Sequence, residues 1–191
     1  QFHGSAYYYG YNQDLIGTKY PYLDGTGYAP KYQKQTQYNM GVTLGGPIIK
    51  NKLFFFANYE RTNKEYPNLY GVDSGNSKVN TEQAKDILTM LQNIAEKQGV
   101  NFNDYYSNQD IYTKSDKAGL KLDWNINEFN KFAIRWSLVK AEQLSGGGSA
   151  SSLNSYGYSY PFKSNTNSFI AELQSRFSPS LSNEARVSFV R

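Results

Sequence analysis

His3 is the sole histidine, and cysteine is absent. A paired-imidazole metal site, a thiolate site, a disulfide framework and a cysteine nucleophile are all excluded by that count. Acidic residues are scattered, with none at the spacing of a calcium loop. Gly146-Gly147-Gly148 lacks the Lys-Ser/Thr that lets a glycine loop hold phosphate. No catalytic constellation emerges, so the sequence predicts neither an enzyme nor a cofactor. Two other chemistries stay open. The chain holds 18 tyrosines, each with an apolar body and a polar tip suited to a wet binding surface. Tyr20, Tyr22, Tyr28, Tyr156, Tyr158 and Tyr160 lie in stretches rich in Gly, Pro or Ser. There they could stack on a sugar or grip a peptide, or equally pack loops against each other. Lys121, Asp123, Arg135, Glu172 and Arg176 fall at alternating positions. They could line a charged channel that meets a plug or a passing solute, or pair across strands and solvate a wall. The net charge of +4 is spread without a basic stripe, so nucleic acid is not an expected partner.

The elements that carry these residues are strands. Tyr38, Met40, Val42 and Leu44 alternate with Asn39, Gly41, Thr43 and Gly45, the period of two that marks one apolar face. Lys50-Asn51-Lys52 then makes a polar turn, and Leu53, Phe55, Ala57 and Tyr59 form a second apolar face. Phe54, Phe55 and Phe56 stand in a row beside the turn, where an aromatic belt at a membrane boundary would accommodate them. Ahead of this hairpin, Phe2 to Tyr11 reads as a strand with Phe2, Gly4, Ala6 and Tyr8 on one face and His3 on the other. Beyond it, Ala118, Leu120, Leu122, Trp124 and Ile126 alternate with Lys117, Gly119, Lys121, Asp123 and Asn125. Phe132, Ile134, Trp136 and Leu138 return. Phe169, Ala171, Leu173 and Phe177 give another strand, and Val187 and Phe189 begin a last one. The connections alternate long (14–35, 62–113, 145–165) and short (Lys50–Lys52, Asn127–Lys131, Pro179–Asn183). One helix is predicted inside the second long segment, over Asn80 to Gln98. Asn80 and Gln83 form a capping box, an apolar stripe runs from Ala84 to Ala95, and Gly99 provides the stop.

These residues carry a family resemblance. Residues 44–60, LGGPIIKNKLFFFANYE, preceded by FHGSAYYYGYNQ at Phe2 to Gln13, resemble the opening of the barrel in TonB-dependent outer-membrane receptors. They are most like the Oar-like branch, whose members carry a carboxypeptidase-regulatory-like domain. The resemblance implies an all-β, transmembrane, antiparallel up-and-down barrel of about twenty-two strands, in the outer membrane of a Gram-negative bacterium. About seven of those strands would be present, with the helix in a long extracellular loop. The plug and N-terminal domain would lie outside the chain, making residues 1–191 a partial barrel. It further implies partners: outer-membrane lipid, the protein's own plug, the TonB–ExbB–ExbD energy system and a surface lipoprotein. The expected function is active import of a large peptide, siderophore or glycan. The rivals are a secreted glycan-binding or adhesion module, and a structural or secretion barrel with no solute of its own. A mean hydropathy of −0.68 does not oppose a barrel, whose lipid-facing residues are only alternate ones.

The hairpin over 115–138 also predicts a register. Its outward residues are all even-numbered, so the turn holds an odd number of residues. A five-residue turn, Asn127 to Lys131, places Asp123 opposite Arg135. A three-residue turn places Lys121 opposite Arg135, two like charges. Cross-strand electrostatics favour the first.

Overall fold

The computed structural model describes residues 1–15, 20–21, 28–29, 34–67, 81–100, 110–145, 151–152 and 159–191. Its strands are β1 (His3–Asn12), β2 (Tyr20–Pro21), β3 (Tyr28–Ala29), β4 (Thr36–Ile49), β5 (Leu53–Tyr66), β6 (Ile111–Asn125), β7 (Asn130–Ser145), β8 (Tyr160–Ser178) and β9 (Leu181–Val190). One helix, α1 (Thr81–Lys97), lies between β5 and β6. Seven strands form one sheet in the order β1-β4-β5-β6-β7-β8-β9, every neighbouring pair antiparallel. Each long strand thus pairs with the next in sequence, the up-and-down arrangement that the alternation of long and short connections predicts. β2 and β3 make a separate two-residue pair within the first long segment.

Strands β4 to β8 run 14 to 19 residues, beyond the 9–11 that cross a bilayer. They outrun their apolar pattern. β5 continues to Tyr66 and β6 starts at Ile111, so the second long segment is shorter at both ends than 62–113. Arg61, Asn63 and Glu65 hold the ladder without holding the pattern, because hydrogen-bonded pairing persists where both faces are polar. For the same reason β8 begins at Tyr160, which pairs with Ser145; the loop expected over 145–165 shrinks accordingly.

The short turns are built from local polar chemistry. Asn51 sits at φ 60°, a left-handed conformation that Asn tolerates, and the Lys52 amide closes on the Ile49 carbonyl at 3.0 Å. Pro47 lies beside a register shift in β4, at a bulge where a missing donor is harmless. The last turn is Pro179-Ser180 rather than Pro179–Asn183, with a register shift between Arg176 and Ser178.

The middle turn corrects the predicted register. It holds three residues, and the Ile126 amide bonds the Asn130 carbonyl at 3.0 Å. Trp124 therefore faces Phe132, Leu122 faces Ile134, Leu120 faces Trp136, and Lys121 faces Arg135; Asp123 faces Ala133. The expected Asp123–Arg135 neighbours do not form. The Asn127 side-chain oxygen accepts from the Phe129 amide (2.9 Å), the Asn130 amide (2.8 Å) and the Asn130 side-chain amide (2.9 Å). Hydrogen bonds contribute about 0.5–1.5 kcal/mol each, so this turn outweighs one charge pair of about 0.2–1 kcal/mol. The like-charge cost is also reduced, because Lys121 bonds Asp123 two residues along its own strand at 2.7 Å.

Helix α1 ends as the sequence predicts. Gly99 takes φ 68°, its amide bonds Glu96, and the Val100 amide reaches back to the Ala95 carbonyl at 2.8 Å. That pair of bonds is a Schellman motif. Asn80, the expected cap, lies outside the described residues. The apolar stripe divides: Leu88 and Ala95 are buried, while Ile87 and Ile94 stay about half exposed.

Candidate functional site

The sheet is a single layer without a core. Among the described residues only Leu88, Ala95 and Leu144 are both apolar and buried, and two of those belong to the helix. A sheet needs a second layer or closure on itself to be stable, so the function of this one resides in what covers its two faces.

One face is apolar across all seven strands. The registers bring Leu53, Trp124, Phe132, Leu173 and Ala185 into one row. Phe55, Leu122, Ile134, Ala171 and Val187 form the next, and Ala57, Leu120, Trp136, Phe169 and Phe189 the one after. Leu120, Leu122, Trp124, Ile134, Trp136 and Leu173, read from the sequence as apolar strand faces, all share this face. Phe2 of the β1 end joins it by lying over Gly46 to reach Phe55, ring centroids 6.1 Å apart. A Cβ on Gly46 would stand 2.4 Å from that ring, which gives the Gly45-Gly46-Pro47 motif a packing reason. Trp124 is 44% exposed and Phe189 60%. Covering what remains exposed of each would stabilise by about 1–2 kcal/mol.

The band has a slanted upper limit. In the row Met40, Arg61, Asp116, Lys140, Asn165 only the β4 member is apolar. In the row Val42, Tyr59, Ala118, Leu138, Asn167 the apolar character lasts as far as β7. The limit falls by two rows, four residues of about 3.4 Å, across four strand spacings of about 4.8 Å. A flat hydrocarbon slab covers such a band only if the strands incline by about 35°, the tilt of closed barrels. Just above the limit, Arg61 bonds Asp116 at 3.3 Å, and the Tyr59 hydroxyl donates to the same carboxylate.

The opposite face is polar and networked. Tyr7 of β1 crosses Gly41 of β4 to donate to Glu60 Oε2 of β5 at 2.7 Å, and Lys117 of β6 donates to Glu60 Oε1 at 2.7 Å. A Cβ on Gly41 would stand 2.6 Å from the Tyr7 ring. Further along the face, Arg186 bonds Glu172 at 2.7 Å and Glu184 at 3.0 Å. Of the five charged residues read as a channel wall, Lys121, Asp123, Arg135 and Glu172 converge here. Arg176 stands apart over the Phe129 ring, 5.5 Å from its centroid. The phenylalanine run does not form one belt. Phe55 faces the apolar side, whereas Phe54 and Phe56 face the polar side opposite Asp123 and Lys121. His3 also lies on the polar face, at the β1 end.

Of the six tyrosines proposed as ligand contacts, Tyr20, Tyr28 and Tyr160 are among the described residues. Tyr20 and Tyr28 belong to the β2–β3 pair. Tyr22, Tyr156 and Tyr158 lie outside the described residues. Tyr160 opens β8 and is exposed, with exposed Phe162 next on the same face. Tyr7, Tyr9 and Tyr11 form a ladder on the polar face, the same side of β1 as His3, as the period of two predicts. Tyr7 and Tyr9 have ring centroids 5.5 Å apart. No group of His, Asp and Glu that could hold a metal occurs among the described residues. No helix among them is long and apolar enough to cross a membrane, which says nothing of strands.

Two segments, 1–74 and 71–191, match the family model described as "Outer membrane beta barrel domain" and together cover all 191 residues of the chain. No curated protein and no solved structure matches the chain.

Proposed function

Because this chain belongs to the outer membrane beta barrel domain family, and so resides in the outer membrane of a Gram-negative bacterium, we propose that it forms part of an active-transport receptor. In this reading the barrel binds a large solute of the peptide, siderophore or glycan class and admits it with energy delivered by TonB, ExbB and ExbD. The long segments face the exterior and the short turns the periplasm. Outer-membrane lipid covers the apolar band, and an internal plug covers the polar face; a surface lipoprotein would assist capture. No catalysis is assigned to the chain. The secreted-module alternative does not fit a domain of the outer membrane.

The observation that carries the reading is the pair Phe54 and Phe56. They project from the polar face among Lys121 and Asp123, and Phe56 is 44% exposed. In a water-filled pore the exposed part of Phe56 alone would forgo about 1 kcal/mol of burial. An internal plug would cover them and still leave polar partners for the charges around them. The similarity of residues 2–13 and 44–60 to TonB-dependent receptors supports the same conclusion. The test is growth of a deletion strain and of a strain lacking TonB on panels of peptides, ferric siderophores and glycans. Loss on the same solute in both strains supports the proposal. Loss in the deletion strain alone would mean uptake without TonB. No loss on any panel would favour a structural or secretion barrel.

A further inference from the structure

We propose that Lys121 and Arg135 form a binding site for an anionic group, a carboxylate or phosphate, presented inside the barrel. The two cations stand directly opposite each other on the polar face of β6 and β7, an arrangement that works against strand pairing and that Asp123 relieves only from the Lys121 side. Every nearby carboxylate already has a partner. Asp123 bonds Lys121 at 2.7 Å. Glu172 accepts two bonds from Arg186 on Oε2, at 3.0 and 2.7 Å, and one from Gln174 on Oε1 at 2.7 Å. Glu184 accepts from Arg186 at 3.0 Å. Arg135 has no ion pair and no side-chain hydrogen bond among the described residues. Two recesses here are lined by four cations, Lys121, Lys131, Arg135 and Arg186, against the two carboxylates Asp123 and Glu172, and Glu184 bonds Arg186 from beside them. One positive charge is left over after these three carboxylates. Arg135 and Lys131 are the two cations here without an ion pair or side-chain hydrogen bond among the described residues, and of the two only Arg135 lines both recesses.

The space in front of these groups fits the chemistry. Lys121, Ala133, Arg135, Ile170, Glu172 and Arg186 line a recess of about 220 Å³. A second recess of about 330 Å³ shares Lys121, Ala133, Arg135 and Glu172. Ala133 faces both Asp123 and Glu172 across its two neighbouring strands, and its small side chain, in the row next to Arg135, leaves room beside the Lys121–Arg135 pair. A planar guanidinium receives a carboxylate or phosphate through two parallel bonds, and a lysine adds a point charge. The anion has two sources with one chemistry: an acidic side chain of a segment folded inside the barrel, or an acidic group on a passing solute. The site depends on the barrel, whose inner face it occupies, and not on transport.

The experiment is phenylglyoxal modification of Arg135, followed by peptide mass spectrometry on the full-length protein in its own outer-membrane vesicles. Rates are compared with inorganic phosphate and with chloride at matched ionic strength, in the native protein and in Lys121→Gln. A free-anion site shows as at least threefold slowing by phosphate over chloride, diminished in Lys121→Gln. A resident carboxylate shows as slow modification without phosphate and at least threefold acceleration in Lys121→Gln. Removing a neighbouring positive charge would by itself slow this reagent, which attacks the neutral guanidine, so acceleration reports release of an anion. Unchanged heat-modifiable migration of Lys121→Gln shows that it still folds. An Arg135 rate moved by neither phosphate nor the substitution overturns the site. Because no uptake is measured, that outcome leaves the transport proposal standing, and a solute-independent strain phenotype leaves the anion site standing.

Discussion

The two faces of the sheet obey different rules. On the apolar face neighbours are interchangeable: Leu122 facing Ile134 and Leu122 facing Trp136 bury similar area, so a register shift of two residues changes little. On the polar face the same shift decides whether Lys121 meets Arg135 or Asp123 does. Hydrocarbon constrains parity alone, because contact with lipid is non-directional. Hydrogen bonds and charges constrain partners, because they depend on distance and angle. The inner wall therefore records the register in its side-chain pairs, and the outer wall records only which residues face out.

The largest expected effect tests that parity. Leu122→Arg places a cation in the middle rows of the apolar band and should destabilise the full-length barrel by about 2–4 kcal/mol. Lys121→Ala, one residue away on the other face, should cost far less. Denaturant titration in phospholipid vesicles measures both, and equal losses would remove the distinction between the faces.

A smaller effect is expected where the inner face depends on close approach. Gly41→Val sets a side chain against the Tyr7 ring and should cost about 1–3 kcal/mol through overpacking. Tyr7→Ala in the same chain should recover most of that loss, after subtraction of its own effect, because the two positions share one contact. A double-mutant cycle showing independent losses would mean that Tyr7 does not lie over Gly41.

The turn that sets the β6–β7 register comes next in size. Asn127→Ala removes an acceptor of three bonds and should cost about 1 kcal/mol, since the site is exposed and water replaces part of what is lost. Asn127→Asp keeps an acceptor oxygen and should retain most of the stability. A loss in Asn127→Asp equal to that in Asn127→Ala would show that the side-chain oxygen is not what holds the turn.

These positions also show what can be read without coordinates. Strand parity was legible from Ala118 to Trp124 and from Phe132 to Leu138 because one face excludes water and every second residue must comply. Helix α1 and its stop at Gly99 were legible because capping is local. The ends of β5 and β6 were not, since Arg61 to Tyr66 and Ile111 to Lys114 pair through backbone groups that carry no sustained hydrophobic alternation. The β6–β7 register was misread because a charge pair was weighed without the Asn127 bonds that compete with it. The inward aim of Phe54 and Phe56 followed from parity, yet three consecutive phenylalanines suggested a single belt. The polar-face cluster was legible in its membership, Lys121, Asp123, Arg135 and Glu172, but not in its pairing. Arg186, which holds Glu172, carries no signal until β9 is placed beside β8.

The smallest effect sharpens the comparison at the upper limit of the apolar band. Arg61 and Asp116 lie on the apolar side of the sheet but one row beyond its apolar residues, 3.3 Å apart, with side chains 40% and 37% exposed. Were this row within hydrocarbon, losing one partner would leave a charge stranded in a medium where a lone cation costs about 2–4 kcal/mol. In water the same pair contributes about 0–1 kcal/mol. The slant of the band places the row in the watery boundary at β5 and β6. Asp116→Asn should therefore destabilise by less than about 1 kcal/mol, and the loss should shrink as salt is raised, since exposed pairs are screened. Met40→Arg, in the same row but on β4 where the band reaches higher, should cost more than Asp116→Asn and show no salt dependence of that kind. Equal costs at Met40 and Asp116 would mean that the limit is level along the ladder rows, and that the strands stand upright rather than inclined.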